Sequence, residues 1–357
     1  MKKRSKMLIL MLISVIAISC LALTACGDKG GGGATVGGGG AYILSDKGTY
    51  LAYKKNPEGD RIANLEILFE KDASLINTYS MIAVDGDKLK KPVALNEAGA
   101  DAFIKWMSLA GTRDIIAKFG DTVGNAYGEP LFYLDTKAQT YTGELNALKW
   151  TAGTKRIKVS TTTSVNDTGL LGYLEDKFEA ETGWDIQVAS AGTGAAIDAA
   201  SGGNADMLLV HAKSSEVEFI KKGYARTVEG LTGEVVDAVN PQRVTFMYNY
   251  FVIVGPKADP AGVKAATSAI EAMKAIGKNN CNFISRGDAS GTHTAEIKLF
   301  TAAEYTMIPL DVTDNKGNVK TKTAPAGSDG KMATWYVSAG QGMGACLGMA
   351  SNYKTIG

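Results

Sequence analysis

The 357-residue chain has only two histidines, His211 and His293, and four cysteines, with no C-x-x-C spacing among them. That leaves little material for a zinc site, which draws on clustered Cys and His ligands. An excess of one charge is lacking as well: 38 Lys and Arg stand against 37 Asp and Glu, for a formal net charge of +1. No global field draws such a molecule to nucleic acid, so recognition of charge has to be local. Long apolar runs are missing except at the start. There Lys2, Lys3 and Arg4 precede MLILMLISVIAISCLAL, a stretch too short and too N-terminal for a permanent membrane span and with the form of an export signal.

The signal, residues 1–26, ends in Leu23-Thr24-Ala25-Cys26, which resembles a bacterial lipobox whose cysteine is lipidated and becomes the mature N-terminus. Residues 27–40, GDKGGGGATVGGGG, offer no side chain that builds a core and read as a tether. The expectation is an extracytoplasmic body lipid-anchored to the cell membrane through Cys26. Cys20 leaves with the signal, so Cys281 and Cys346 remain. Export permits a disulfide between them, and two buried thiols account for the count equally well.

From Arg156 the pattern is regular. RIKVS reads as a strand, TTTSVNDTG as a loop, and LLGYLEDKFEAETG as an amphipathic helix with Leu170, Leu171, Leu174 and Phe178 at helical spacing and a stop at Gly183. WDIQVAS is the next strand, AAIDAASGGNA a short helix and DMLLVHA a third strand. This alternation implies right-handed crossovers and a parallel sheet. FMYNYFVIVGP is long enough for a strand that passes between two lobes, and a helix, the strand NFIS and the segment RGDASGTHTAEIKLF follow. Trp106, Phe103 and Met107, at helical spacing, read as core. His211, at a strand end, reads as a packed or capping residue.

Three turns carry chemistry. Thr162, Thr163 and Ser164 lie where a strand ends and a helix begins, so hydroxyls and unpaired helix N–H groups converge there. Gly192, Thr193 and Gly194 repeat the arrangement at the next strand-to-helix turn, on the same edge of the sheet. Taken singly, hydroxyls that cap helices and glycines that make turns account for either. The third turn has Gly287, Ser290, Gly291 and Thr292 before a helix, a cradle of N–H and O–H donors to which Arg286 adds a fixed charge with paired donors. Asp288 points either at the bound anion, which favours a protonated one such as phosphate, or into the turn, which favours a fully deprotonated one. Ser290 with His293 could instead form a nucleophile and base, and Arg286-Gly287-Asp288 an adhesion tripeptide. The first is unneeded once capping and anion binding use the hydroxyls, and the second requires an exposed loop.

STTTSVNDTGLLGYLEDKFEAETG, AGTGAAIDAASGGNADMLLVHA, MYNYFVIVGPKADPAG, FISRGDASGTHTAE and YVSAGQGMGACLGMAS, in this order, resemble the tungstate-binding proteins of bacterial ABC transporters. The resemblance spans residues 156 to 351. It implies an α/β, two-lobed periplasmic-binding-protein-like fold (class II) closing on a tetrahedral oxyanion. It also implies a carrier rather than an enzyme, without cofactor or protein metal ligands, monomeric, with an ABC permease as partner. The ligand would be tungstate or a related oxyanion (molybdate, sulfate or phosphate), and a sensor derived from such a carrier is the other role. By resemblance the three turns named above hold the ligand. Gly342-Met343-Gly344 either approach the ion through their backbone or let a helix begin close to the other lobe.

In that family the GQGMG helix is followed by a segment like AYTLSDRGTYLA, an extended strand, an aromatic-rich helix and a closing GEPLF. Here those segments stand first: AYILSDKGTYLA at 41–52, LINTYSMIAVD at 75–85, a helix at 98–120 and GEPLFYLD at 128–135. The order looks circularly permuted. Residues 41–135 would be equivalent to the family's C-terminal part, 136–155 would link the old termini, and 156–357 would be the N-terminal and central parts. Residues 311–334, longer and more polar than the family connection, read as a surface loop.

Overall fold

The computed structural model describes residues 40–125, 127–236, 242–288, 290–313 and 319–353, so Cys26 and nearly all of the tether lie outside the described residues. Strand β1 (Ile43–Asp46) runs directly into helix α1 (Lys47–Lys54), because the Asp46 carboxylate accepts from Thr49 N and so starts the helix. β2 (Leu65–Phe69) and β3 (Ile76–Val84) follow, then α2 (Glu97–Met107), α3 (Ala110–Lys118) and the short β4 (Tyr133–Leu134). Asn96 caps α2 through Gly99 N. Phe103 and Trp106, one turn apart on α2, both meet Phe178 edge-on inside the core, as their spacing predicts.

Next come β5 (Arg156–Thr162), α4 (Thr163–Asp167), α5 (Leu170–Thr182), β6 (Asp185–Ala191), α6 (Thr193–Ser201), β7 (Met207–Val210) and α7 (Lys213–Lys221). β5 runs two residues further than RIKVS, because Thr161 and Thr162 continue the ladder opposite Ser190 and Ala191. The expected loop then winds into the single turn of α4. Gly183 ends α5 at φ 78°, a left-handed position that glycine adopts without strain. The rest is β8 (Ala225–Arg226), β9 (Glu234–Val235), β10 (Gln242–Pro256), α8 (Ala269–Lys278), β11 (Phe283–Ser285), α9 (Gly291–Ala302), β12 (Met307–Thr313), β13 (Val319–Pro325), β14 (Tyr336–Ser338) and α10 (Met343–Asn352).

β5 pairs in parallel with β6 and β7, as expected, but the sheet is mixed: β3 lies antiparallel to β7 and to β10. The main path runs β1-β10-β3-β7-β5-β6. The 15 residues of β10 pair first with β3 and then with β1 and β2, with a register shift in each stretch, so this one strand passes between two lobes. One apolar cluster, with Ile82, Leu208 and Phe219, covers a face of the β7 lobe, and another, with Phe251, Phe283, Phe300 and Trp335, fills the β11 lobe. The third, around Phe103, Trp106 and Phe178, continues to Val252, Ile284 and Leu347 and so joins the two.

Three local outcomes differ from the sequence pattern or resolve it. The polar stretch 311–334 is not simply a loop: β12 and β13 pair antiparallel from Met307 opposite Pro325 to Thr313 opposite Val319. Its β-branched residues, alternating with Lys320 and Lys322, suit a solvated two-stranded ladder. Cys281 and Cys346 are free thiols. Gly40 N donates to Tyr353 O at 2.7 Å and Ala41 N to Ala350 O at 2.9 Å, so the first described residues pack on the end of α10. No helix among the described residues is long and apolar enough to cross a membrane.

Candidate anion-binding site

β5 and β6 end side by side, with Thr162 opposite Ala191, so the starts of α4 and α6 open at one sheet edge. Thr162, at the N-cap of α4, is buried, and Thr163 half-buried. Ser164 lies in α4, but its side chain is outside the described residues. At α6 the N-cap is Gly192, which supplies no side chain, so the first-turn N–H groups face the space beside it. No heavy atom outside its own neighbours lies within 4 Å of a β-carbon built on Gly192. Thr193 is 2% exposed and its Oγ1 has no hydrogen-bond partner among the described residues. Gly194 approaches the opposite hairpin: its built β-carbon lies 3.4 Å from Lys320 Nζ.

The third turn leaves β11 at Ser285. Arg286 is 4% exposed, and Gly287 has φ +59° with a built β-carbon 2.1 Å from Ser338 Oγ, so only glycine fits. Asp288 Oδ2 accepts from Arg286 Nε at 3.1 Å and from its NH2, and Oδ1 accepts from Ser290 N at 3.1 Å. The carboxylate is thus spent on the guanidinium and the turn, which settles its orientation. Ser290 Oγ accepts from His293 N as the cap of α9, and Gly291 follows at the first position of that helix. Thr292 is 1% exposed with Oγ1 unpartnered among the described residues. With Arg286 and Asp288 both buried, the tripeptide is not an exposed adhesion loop.

The field of Arg286 reaches both lobes. It works against the burial that raises the pKa of Asp46 and of Asp167, and it adds to the burial that disfavours a proton on His211. Burial nevertheless pushes Asp46 up to about 6, against the two Thr49 hydrogen bonds and the guanidinium. Burial likewise holds His211 down to about 3 and His293 down to about 4, so both imidazoles are neutral at pH 7. Glu296, fully buried, is pushed up to about 8, although Ser285 Oγ and Tyr336 OH both donate to it. The 3.8 Å approach of His293 Nε2 to Glu296 is therefore a contact of neutral groups rather than an ion pair.

Chemically, the third turn holds a buried guanidinium, and helix starts in both lobes carry unspent hydroxyl donors, the kinds of group that replace the hydration of an anion. Pattern reading of the sequence missed Asp46, Asp167 and the contact of Gly291 with His211. The Asp46-x-x-Thr49 spacing signals a helix cap, but nothing local places it beside residue 286. Gly344 owes its identity to packing, since a β-carbon there would lie 1.8 Å from Tyr53 OH of α1, whereas Gly342, at the N-cap of α10, faces open space.

Residues 148–357 match the family model of a PBP superfamily domain. The tungstate-binding protein TupA of Peptoclostridium acidaminophilum is 38% identical over 200 residues, covering 56% of this chain and 56% of that protein. TupA of Campylobacter jejuni is 33% identical over 193 residues, 54% of this chain and 57% of that protein. Among solved structures, the tungstate ABC transporter from Geobacter sulfurreducens is 38% identical, covers 54% of this chain and 66% of its own, and superposes with a TM-score of 0.41. The chain spans about half the length of the curated relatives it matches.

Proposed function

The chain belongs to the PBP superfamily, and from that premise we propose that it is a solute-binding carrier that captures a tetrahedral oxyanion, tungstate foremost, between its two lobes. One observation carries the reading: Thr193 Oγ1 and Thr292 Oγ1, at helix starts in opposite lobes, are buried without a protein partner among the described residues, and Arg286, in the turn that leads to Thr292, is buried as well. A buried unpaired hydroxyl costs about 1–3 kcal/mol, and a bound oxyanion offsets that cost at both helices at once. Thr162, Thr163, Ser164, Gly192 and Gly194 of one lobe and Arg286, Gly287, Ser290 and Gly291 of the other complete the shell. The choice of tungstate rests on the names of the relatives. Asp288, turned onto Arg286, presents no free carboxylate to the ligand and so favours an anion without a proton.

In this reading Cys26 carries the lipid, the body stays at the outer face of the cell membrane as a monomer, and the closed form engages an ABC permease. Residues 41–135 contribute β1, α1 and β3 to the same two lobes, in permuted order. The hydrogen bond from Gly40 to Tyr353 favours that order, since α10 then leads into β1 without a gap. Calorimetric titration of the full chain with tungstate, molybdate, sulfate and phosphate in parallel tests the proposal. Saturable one-to-one binding of tungstate is expected, tighter than the others; a stronger response to another anion moves the assignment, and binding of none of the four ends it.

A further inference from the structure

Asn249 lies within β10, fully buried, and its amide is locked. Its Oδ1 accepts from Asn77 Nδ2 at 2.9 Å, and the same Nδ2 reaches Tyr79 OH at 3.1 Å. Asn77 Oδ1 in turn lies 2.8 Å from Nδ1 of the His211 ring. In the tautomer that the Asn77 oxygen calls for, with the proton on Nδ1, both amides of the relay have a fixed sense, and turning Asn249 over would set two NH2 groups face to face. The end of this relay is Asn249 Nδ2, a buried donor with no partner among the described residues. A donor so fixed and so unspent is rare in a folded interior.

Where Nδ2 ends up is given by Gly48 in the first turn of α1. A β-carbon built on Gly48 would lie 4.0 Å from Asn249 Nδ2, 3.5 Å from Asp46 Oδ1 and 2.8 Å from Thr168 Cγ2. The Asp46 carboxylate is occupied by Thr49 N and Thr49 Oγ1, both at 2.8 Å. The first-turn N–H groups of Lys47 and Gly48 have no acceptor within the helix. Helix start and orphaned amide thus present donors to one spot, within the field that Arg286 exerts on Asp46.

We propose that Asn249 Nδ2 and the first turn of α1 form a further wall of the oxyanion site, with Asn249 donating directly to an anion oxygen. This rests on the carrier reading above and adds a specificity element to it. Because the relay from His211 allows Nδ2 only to donate, this wall selects oxyanions without a proton. It also brings residues from the segment 41–135 into the ligand shell.

The test uses the full chain and tungstate as probe, with Asn249→Leu and Asn249→Asp measured by calorimetry beside the parent. Leu removes the donor, and Asp keeps the acceptor for Asn77 but turns a carboxylate oxygen to the anion. Tungstate affinity is expected to fall at least tenfold with Leu and further still with Asp. A merely structural Asn249 gives the reverse order, since Asp preserves the bond from Asn77 and is then the milder change. That order, or affinities within twofold of the parent, overturns the proposal while the carrier reading stands; a parent that binds no oxyanion removes both. Should the Asn249 variants fail to fold, the side-chain amide of the parent decides by NMR: a shift of the Asn249 NH2 signals on adding tungstate supports the wall, and unmoved signals at saturation refute it.

Discussion

Gly291 sits against His211: a β-carbon built on Gly291 would fall 2.7 Å from Cε1 of the imidazole. The end of β7 in one lobe therefore touches the first turn of α9 in the other, and the contact is tight because Asn77 holds the ring. Gly291→Ala should force the two apart. Overpacking of this kind costs about 1–3 kcal/mol, so tungstate affinity is expected to drop about tenfold by calorimetry. Unchanged affinity would mean that the two lobes need not meet here for capture.

Arg286 and Asp288 separate binding from stability. Arg286→Ala is predicted to weaken tungstate at least tenfold, since a charged hydrogen bond is worth about 1.5–3 kcal/mol. It should also lower the Tm, because stripping one partner from a buried pair costs about 3–5 kcal/mol. Adding Asp288→Asn removes the stranded charge, so the double variant should regain most of the Tm and none of the affinity. Recovery of both together would place Arg286 outside the ligand shell.

The turns of the candidate site were legible in the sequence because their signals are local. Hydroxyls and glycines at a strand end, followed by helical spacing, describe a helix start wherever they occur, and Thr162, Thr193 and Ser290 each stand at one. The mixed sense of the sheet was not legible, since the pairing of β3 with β7 joins segments more than a hundred residues apart and leaves no trace in either. Asp46 beside Arg286, and Asn249 beside Gly48, are juxtapositions of the same long-range kind. The hairpin of β12 and β13 was hidden for another reason: β13 alternates Lys with Thr, and a strand without a strongly apolar face reads like a loop.

The two thiols should differ in reactivity. Burial pushes Cys346 up to about 12 and raises Cys281 as well, although Cys281 is only half-buried. A thiol attacks as its thiolate. Brief iodoacetamide labelling of the native protein at pH 8, read by peptide mass spectrometry, should modify Cys281 slowly and leave Cys346 untouched, and denaturation should expose both. A peptide pair linked through Cys281 and Cys346 would contradict the free thiols.

The buried carboxyl of Glu296 predicts an alkaline weakness. Its pKa is raised by burial from the ordinary carboxylate range to about 8 in the folded protein, so the folded state holds a proton that the unfolded chain gives up near pH 4.5. Such a group adds stability that is fully present below the unfolded pKa and is lost as pH rises through about 8. The neutral histidines act in the opposite sense. His211 and His293, held at about 3 and about 4, keep their full contribution above pH 6.5 and lose it as pH falls. Between pH 7 and 9 the histidines are silent, Asp46, at about 6, is already largely ionised, and Glu175, raised by burial to about 7, completes its ionisation in the lower part of the window and adds to the decline in both proteins. The Tm of the unliganded protein should therefore decline across this window, and Glu296→Gln should flatten the decline, because Gln keeps an acceptor for Ser285 and Tyr336 but has no proton to lose. Thermal scans of both proteins at pH 7, 8 and 9 check this, and parallel slopes would show that Glu296 ionises well below pH 7 despite its burial.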